Sequence, residues 1–241
     1  MNYDLAVIYF GMTRSLKSVY GSHKKHIFSV LKQNNISYQT FMHTWNTNNK
    51  QRIFNDHIET PIDINDYKTI QPDYYQIDDQ DIFENSICIK DYFDAQLFHD
   101  KGDCENGEWF PLLILNHLCS LESQKRSIQM VESSVAKGNS YKLIMFLRPD
   151  VSIKTPLPVK SFLSNSDKIN IPNENHYEGY NDRFAIMNYE NSIIYGKRIN
   201  GLKQYRKKYG RIVSEKYIKY ILDQHNIKVN MLDFHFDIIR P

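Results

Sequence analysis

Cysteine is scarce in this chain. The three present, Cys88, Cys104 and Cys119, cannot all pair and do not fall at metal-ligand spacing. A disulfide-stapled scaffold and a cysteine zinc site are excluded, and a reducing, cytoplasmic compartment is expected, the host cytoplasm if the chain is viral. No apolar stretch reaches the roughly 20 residues a membrane-spanning helix needs. The N-terminus carries no secretory signal and opens on what reads as a core strand. A large charge of either sign is also missing, and a formal net charge of +2 gives no general pull toward nucleic acid. The repeated glycines of a phosphate-binding loop or a dinucleotide fingerprint are absent. What remains is a 241-residue chain, long enough to bury a full core as one domain. Its abundance of Asn, Ile, Lys and Tyr is what an AT-rich genome, viral or microbial, would encode.

The strongest local signal is Leu143 to Leu147, a short apolar run that suits a central strand, followed at once by Arg148-Pro149-Asp150. Proline removes a ladder donor and ends the strand there. In open α/β sheets ligands bind beyond the carboxyl ends of the strands, so Asp150 is placed in the expected crevice. Taken alone, Arg-Pro-Asp is also an ordinary turn sequence. A second polar cluster, Asn181-Asp182-Arg183, leads into the apolar Phe184 to Met187 and suggests a pocket shared with the first.

The chain opens with a strand, Leu5 to Phe10, that exits into Gly11-Met12-Thr13-Arg14-Ser15. Glycine there permits positive φ and close ligand approach, and Arg14 can reach a phosphate with two donors. A helix with Ile27, Val30 and Leu31 on one face should follow, then a strand from Tyr38 to Met42 that exits into His43-Thr44-Trp45. Core packing and ligand contact are equally open for His43 and Trp45. Residues 46–108 are polar and acidic and read as an irregular excursion that forms a lid or acceptor surface. Pro111 opens a long helix carrying Leu118, Leu121, Ile128, Val131 and Val135, with Ser120 on its pocket-facing or exposed side and Gly138 at its end.

In order, Gly-x-x-Arg-Ser after Phe10, His43-Thr44-Trp45, Ser120-Leu121, Leu147-Arg148-Pro149-Asp150 and Asn181-Asp182-Arg183-Phe184-Ala185 resemble a group of glycosyltransferases. These occur in large DNA viruses, phages and bacterial surface-polysaccharide clusters, and the likeness runs from about residue 5 to residue 209. The resemblance implies a GT-A-type, Rossmann-like mixed α/β sheet flanked by helices. It implies transfer of a sugar from a UDP- or GDP-sugar donor to a glycan or other hydroxyl acceptor. Phe10, Gly11, Arg14, His43, Trp45, Ser120, Arg148, Asp150 and Asn181 would bind the nucleotide sugar. Asp182 would be the catalytic base if the enzyme inverts, or a sugar-orienting carboxylate if it retains. Relatives hold a divalent metal, Mn2+ or Mg2+, on an Asp-x-Asp motif. Here Arg148 replaces the first aspartate, which leaves Asp150 and a late histidine, His235, as metal candidates and metal dependence open; as a residue on the polar face of its strand His235 reads first as a solvent-facing histidine.

Charge is unevenly divided, with 13 basic and 18 acidic side chains in residues 1–140 and 17 and 10 in residues 141–241. The cations of Lys197 to Arg211, interleaved with Tyr195, Tyr205 and Tyr209, have the composition of a nucleic-acid face. They equally suit the solvated side of a helix from Asn191 to Lys208 that turns Ile194, Ile199 and Leu202 to the core. That reading is preferred, which argues against nucleic acid as a partner and leaves a nucleic-acid-processing or catalytically silent nucleotide-sugar-binding protein as the alternative function. A helix capped by Ser214 and a final alternating strand, Asn230 to Ile239, complete the expected order.

Overall fold

The computed structural model describes residues 1–48, 53–54, 57–58, 62–93 and 109–239. Strands β1 (Asn2–Phe10) and β2 (Tyr38–Asn46) are joined by a helical connection made of α1 (Leu16–His23), a π-helical turn (Lys24–Phe28) and α2 (Ser29–Gln33). The pairs β3 (Ile53–Phe54) and β4 (His57–Ile58) come next, followed by β5 (Tyr74–Asp79) and α3 (Gln80–Asn85). The long helix α4 (Trp109–Ala136) leads into β6 (Ser140–Leu147), β7 (Val151–Ile153), α5 (Val159–Ser164), β8 (Ile169–Pro172) and β9 (Phe184–Asn188). Helices α6 (Tyr189–Gly196), α7 (Leu202–Tyr209) and α8 (Ser214–Gln224) precede β10 (Val229–Leu232) and β11 (Phe236–Ile238).

Among the described residues seven strands form one mixed sheet in the order β10-β8-β9-β6-β1-β2-β5, in which β9 runs against its neighbours. β1 lies at the centre, parallel to β2 on one side and to β6 on the other. Successive side chains of a strand point to opposite faces, and in β1 both sets are buried. Leu5, Val7 and Tyr9 pack with Leu16, Ile27 and Leu31 of the first helical connection. Ala6, Ile8 and Phe10 pack with Ile128 and Val131 of α4, Tyr195 of α6 and Ile218 of α8. The architecture is thus a mixed α/β sheet with helices on both faces.

Several expectations need correction. β2 continues through His43 and Trp45, which are buried strand residues and do not follow a strand exit. The stretch expected to be irregular supplies the edge strand β5, paired with β2 from Phe41 to Asn46. Its Tyr-Tyr-Gln-Ile-Asp-Asp is too polar to read as a strand, because an edge strand buries little. The basic helix is broken at Lys197 by a 3-10 turn, Arg198–Gly201, before α7 begins. The final strand is two strands, β10 on the main sheet and β11 paired antiparallel with β7. Its alternation is unbroken all the same, with Leu232, Phe234 and Phe236 buried in turn. Cys104 lies outside the described residues. No helix among the described residues is long and apolar enough to cross a membrane.

Candidate functional site

The chain leaves β1 in one direction toward β2, and β6 lies on the opposite side, so the sheet's connections diverge between β1 and β6. Such a switch point opens a crevice at the carboxyl ends of the strands. A cavity of about 340 Å3 occupies that position, within the range of small-molecule sites.

Among the described residues five segments wall it: Phe10 to Arg14 at the end of β1, Arg148 to Asp150 after β6, Asp182 and Arg183 before β9, Arg211 to Glu215 between α7 and α8, and one side of α4, with Trp45 also on the lining. Because β9 is antiparallel to β6, its beginning lies beside the end of β6, and the Arg148 N–H donates to the Arg183 carbonyl at 3.0 Å. This brings the two polar turns to one edge. On α4 the lining residues Leu113, Asn116, His117 and Ser120 recur at three- and four-residue spacing, one stripe of a helix. The stripe continues inward to Ser123, whose hydroxyl accepts the Gly11 N–H at 2.7 Å. Gly11 has φ of +93°, a conformation side-chain-bearing residues rarely adopt.

Asp150 is almost wholly buried. Arg148 grips it at both oxygens, Nε to Oδ1 at 2.9 Å and Nη2 to Oδ2 at 2.5 Å, and Arg14 Nε lies 3.5 Å from Oδ2. On the neighbouring turn, Arg183 Nη1 stands 3.2 Å from Asp182 Oδ1 and 3.5 Å from Glu215 Oε1. The Ser214 hydroxyl donates to Asp182 Oδ2 at 2.7 Å. Ser214 is therefore a site residue and not the cap of α8, whose N-cap position is Val213.

These surroundings separate the two carboxyls. Burial opposes ionisation of Asp182, but Arg183, Arg148 and the Ser214 hydroxyl outweigh it and hold its carboxyl below the usual range. Glu215 is pushed up to about 7 by burial and by the negative charge of Asp182, only partly offset by Arg183. Burial lowers the His117 imidazole to about 4 and keeps it neutral at pH 7. Its Nε2 is buried with no hydrogen-bond partner.

Of the residues expected from sequence, Phe10, Gly11, Arg14, Trp45, Ser120, Arg148, Asp150 and Asp182 line the cavity together. Three do not. His43 lies behind the wall, between Ser123 Oγ at 2.8 Å and Asp78 Oδ2 at 3.0 Å, where it supports the hydroxyl that receives Gly11. Asn181 is fully buried and organises its own loop, donating to the Glu174 carbonyl and accepting from the Arg183 N–H. His235 is bound by Glu174 at 2.9 Å and Asp233 at 2.8 Å. It pairs with Lys154 through its backbone, four residues along from Asp150. At about 3.3 Å per strand residue that is on the order of 13 Å away, too far for the two side chains to share an ion. Among the described residues no group of three or more His, Cys, Asp or Glu is arranged to hold a metal.

The sequence reading passed over His117, Arg183, Arg211 and Glu215 as site residues. His117 had a detectable signal in its spacing from Ser120 on one helical stripe. The other three arrive through the antiparallel return of β9 and the packing of α8, which no local pattern encodes. The cations of α7 are largely engaged at the surface: Lys203 pairs with Asp91 at 2.6 Å, and Lys208 lies over the Tyr209 ring.

Among solved structures the chain is similar to the apo form of mouse xyloside xylosyltransferase 1, at 11% identity and a TM-score of 0.42, over 96% of this chain and 85% of that one. At this level of similarity it lends no residue roles. No family model matches the chain, and no curated protein matches its sequence.

Proposed function

We propose that the chain is a glycosyltransferase of the GT-A kind that moves a sugar from a uridine or guanosine diphosphate donor to a hydroxyl of a glycan acceptor. The observation that carries this reading is the switch-point cavity, which Arg14, Arg148, Arg183 and Arg211 line together with Phe10 and Trp45. A diphosphate supplies the negative charge such a space attracts, and an aromatic wall suits the attached base.

The reaction asks for two things of these residues. As the acceptor oxygen bonds to the anomeric carbon, the bond from that carbon to the phosphate oxygen breaks and its electron pair leaves on the diphosphate. Fixed cations near the departing oxygen stabilise that charge as it develops. The acceptor hydroxyl must also lose a proton. A base works best with a pKa near the working pH, which favours Glu215, pushed up to about 7, over the more acidic Asp182. Asp182 is then the fixed anion that tunes Glu215 and orients Arg183. The His117 Nε2, neutral and unpartnered, is available to a hydroxyl of either sugar.

Thermal denaturation with nucleoside diphosphates, nucleotide sugars and short oligonucleotides tests this reading. Uridine or guanosine diphosphate should stabilise the protein by about 2.7 kcal/mol at a hundredfold excess over the dissociation constant. A response to oligonucleotides alone, or to nothing in the panel, would overturn it.

A further inference from the structure

We infer that this cavity holds its diphosphate without a divalent cation, the phosphate charge being met by arginine side chains alone. The inference rests on the reading of the cavity as a nucleotide-sugar site and specifies how that site neutralises its ligand. A metal bridging protein and diphosphate needs a carboxylate with an oxygen to give. Among the described residues the cavity has three carboxyl groups, Asp150, Asp182 and Glu215.

None of them is presented as a metal ligand. Both oxygens of Asp150 are held by Arg148, and Arg14 stands 3.5 Å from one of them. A divalent ion there would have to displace a two-point guanidinium contact and then sit beside two positive charges. Asp182 is occupied on one oxygen by the Ser214 hydroxyl, and its other oxygen, which makes no hydrogen bond, stands 3.2 Å from Arg183 Nη1, so an ion bound there would sit against a guanidinium. Glu215 shares that same guanidinium, and burial beside Asp182 raises its carboxyl to about 7. His235 is engaged elsewhere, between Glu174 and Asp233.

The same contacts that repel a cation prepare an anion site. A guanidinium offers planar, paired donors that match phosphate oxygens. Asp150 fixes the direction of the Arg148 and Arg14 groups, and Asp182 and Glu215 fix that of Arg183, so that the donors are positioned before the ligand arrives. Asp150 is by this account a positioning residue.

Calorimetric titration of metal-stripped protein with uridine and guanosine diphosphates, once in EDTA and once in millimolar manganese, decides the matter. The expected result is binding in EDTA with an affinity within about twofold of that in manganese. Binding at least tenfold tighter with manganese, or only with it, overturns the inference and leaves the transferase reading intact. Binding in neither buffer overturns both. Arg211→Ala, a change at an exposed side chain on the cavity rim, adds an independent check. It should weaken nucleotide affinity in EDTA at least fivefold with an unchanged circular dichroism spectrum, and unchanged affinity would count against the arginine cradle.

Discussion

Asp182 and Glu215 flank a single nitrogen, Nη1 of Arg183, at 3.2 and 3.5 Å, although the two residues are 33 positions apart in the chain. One guanidinium cannot fully compensate two buried carboxylates. The charge of Asp182 is secured by Arg148 and Ser214 as well, so Glu215 bears the cost and its carboxyl rises to about 7.

This relationship sets the pH dependence of transfer. With Glu215 as the base, kcat/KM should climb as pH rises through about 7 and then level off. Asp182→Asn removes the neighbouring negative charge and should move that rise to lower pH, while Glu215→Gln should slow transfer by about 10² to 10⁴ and leave nucleotide affinity nearly intact. A pH profile unmoved by Asp182→Asn would show that Glu215 is not the titrating base.

How much of this the sequence discloses depends on the range of the interactions involved. β1 and β6 are legible because both faces are buried, which writes a continuous apolar run, and the turns at Gly11 and Arg148 announce themselves by composition. β5 is hidden because an edge strand needs no such run. The pairing of Asp182 with Ser214 and Glu215 is hidden for another reason: it depends on β9 turning back beside β6 and on α8 packing across its start. Nothing within ten residues of Glu215 separates it from a first-turn acid that merely suits a helix dipole. The distance between Asp150 and His235 is likewise a consequence of register, Ile238 opposite Val151 and Phe236 opposite Ile153.

Ser123 links the buried sheet to the cavity floor, accepting the Gly11 N–H at 2.7 Å while bonded to His43 at 2.8 Å. Ser123→Ala leaves that N–H and a buried imidazole nitrogen without this partner. A loss of about 1–3 kcal/mol in urea unfolding is expected, together with weaker nucleotide binding, because Gly11 lines the cavity. Loss of stability with unchanged affinity would place Gly11 outside the ligand's reach.

Gly179 offers a way to disturb Glu215 from outside the cavity. The backbone of Gly179 lies so close to the start of α8 that an added Cβ would overlap the carbonyl of Glu215. Tyr180 N–H donates to that same carbonyl at 3.1 Å. Gly179→Ala must therefore push the loop away from the helix, at about 1–3 kcal/mol in stability. It should also lower the transfer rate more than it lowers nucleotide affinity, because Glu215 moves and Arg14 and Arg148 do not. Equal losses in both would mean that the displacement spreads across the whole cavity.

His23 predicts how stability responds to acid. Its ring is fully buried between the Tyr9 hydroxyl, 3.1 Å from Nδ1, and the Val151 carbonyl, 2.6 Å from Nε2. The carbonyl can only accept, so Nε2 carries the proton and Nδ1 accepts from Tyr9. Burial brings this histidine down to about 4 from an ordinary 6.5. Between those values the unfolded chain binds a proton at this position and the folded one does not, so stability falls as pH drops from 6.5 toward 4. The loss is roughly 1.4 kcal/mol per pH unit, or about 3 kcal/mol across the window. Glu215 acts in the opposite sense between 4.5 and 7, since its raised value lets the folded state hold the extra proton. Comparing the protein with His23→Gln cancels that contribution. Urea unfolding of both from pH 7 to pH 4.5 should show the variant less stable at pH 7 but with a flatter decline, the two curves converging toward acid. Parallel curves would mean that His23 takes up its proton in the folded state and does not control acid sensitivity.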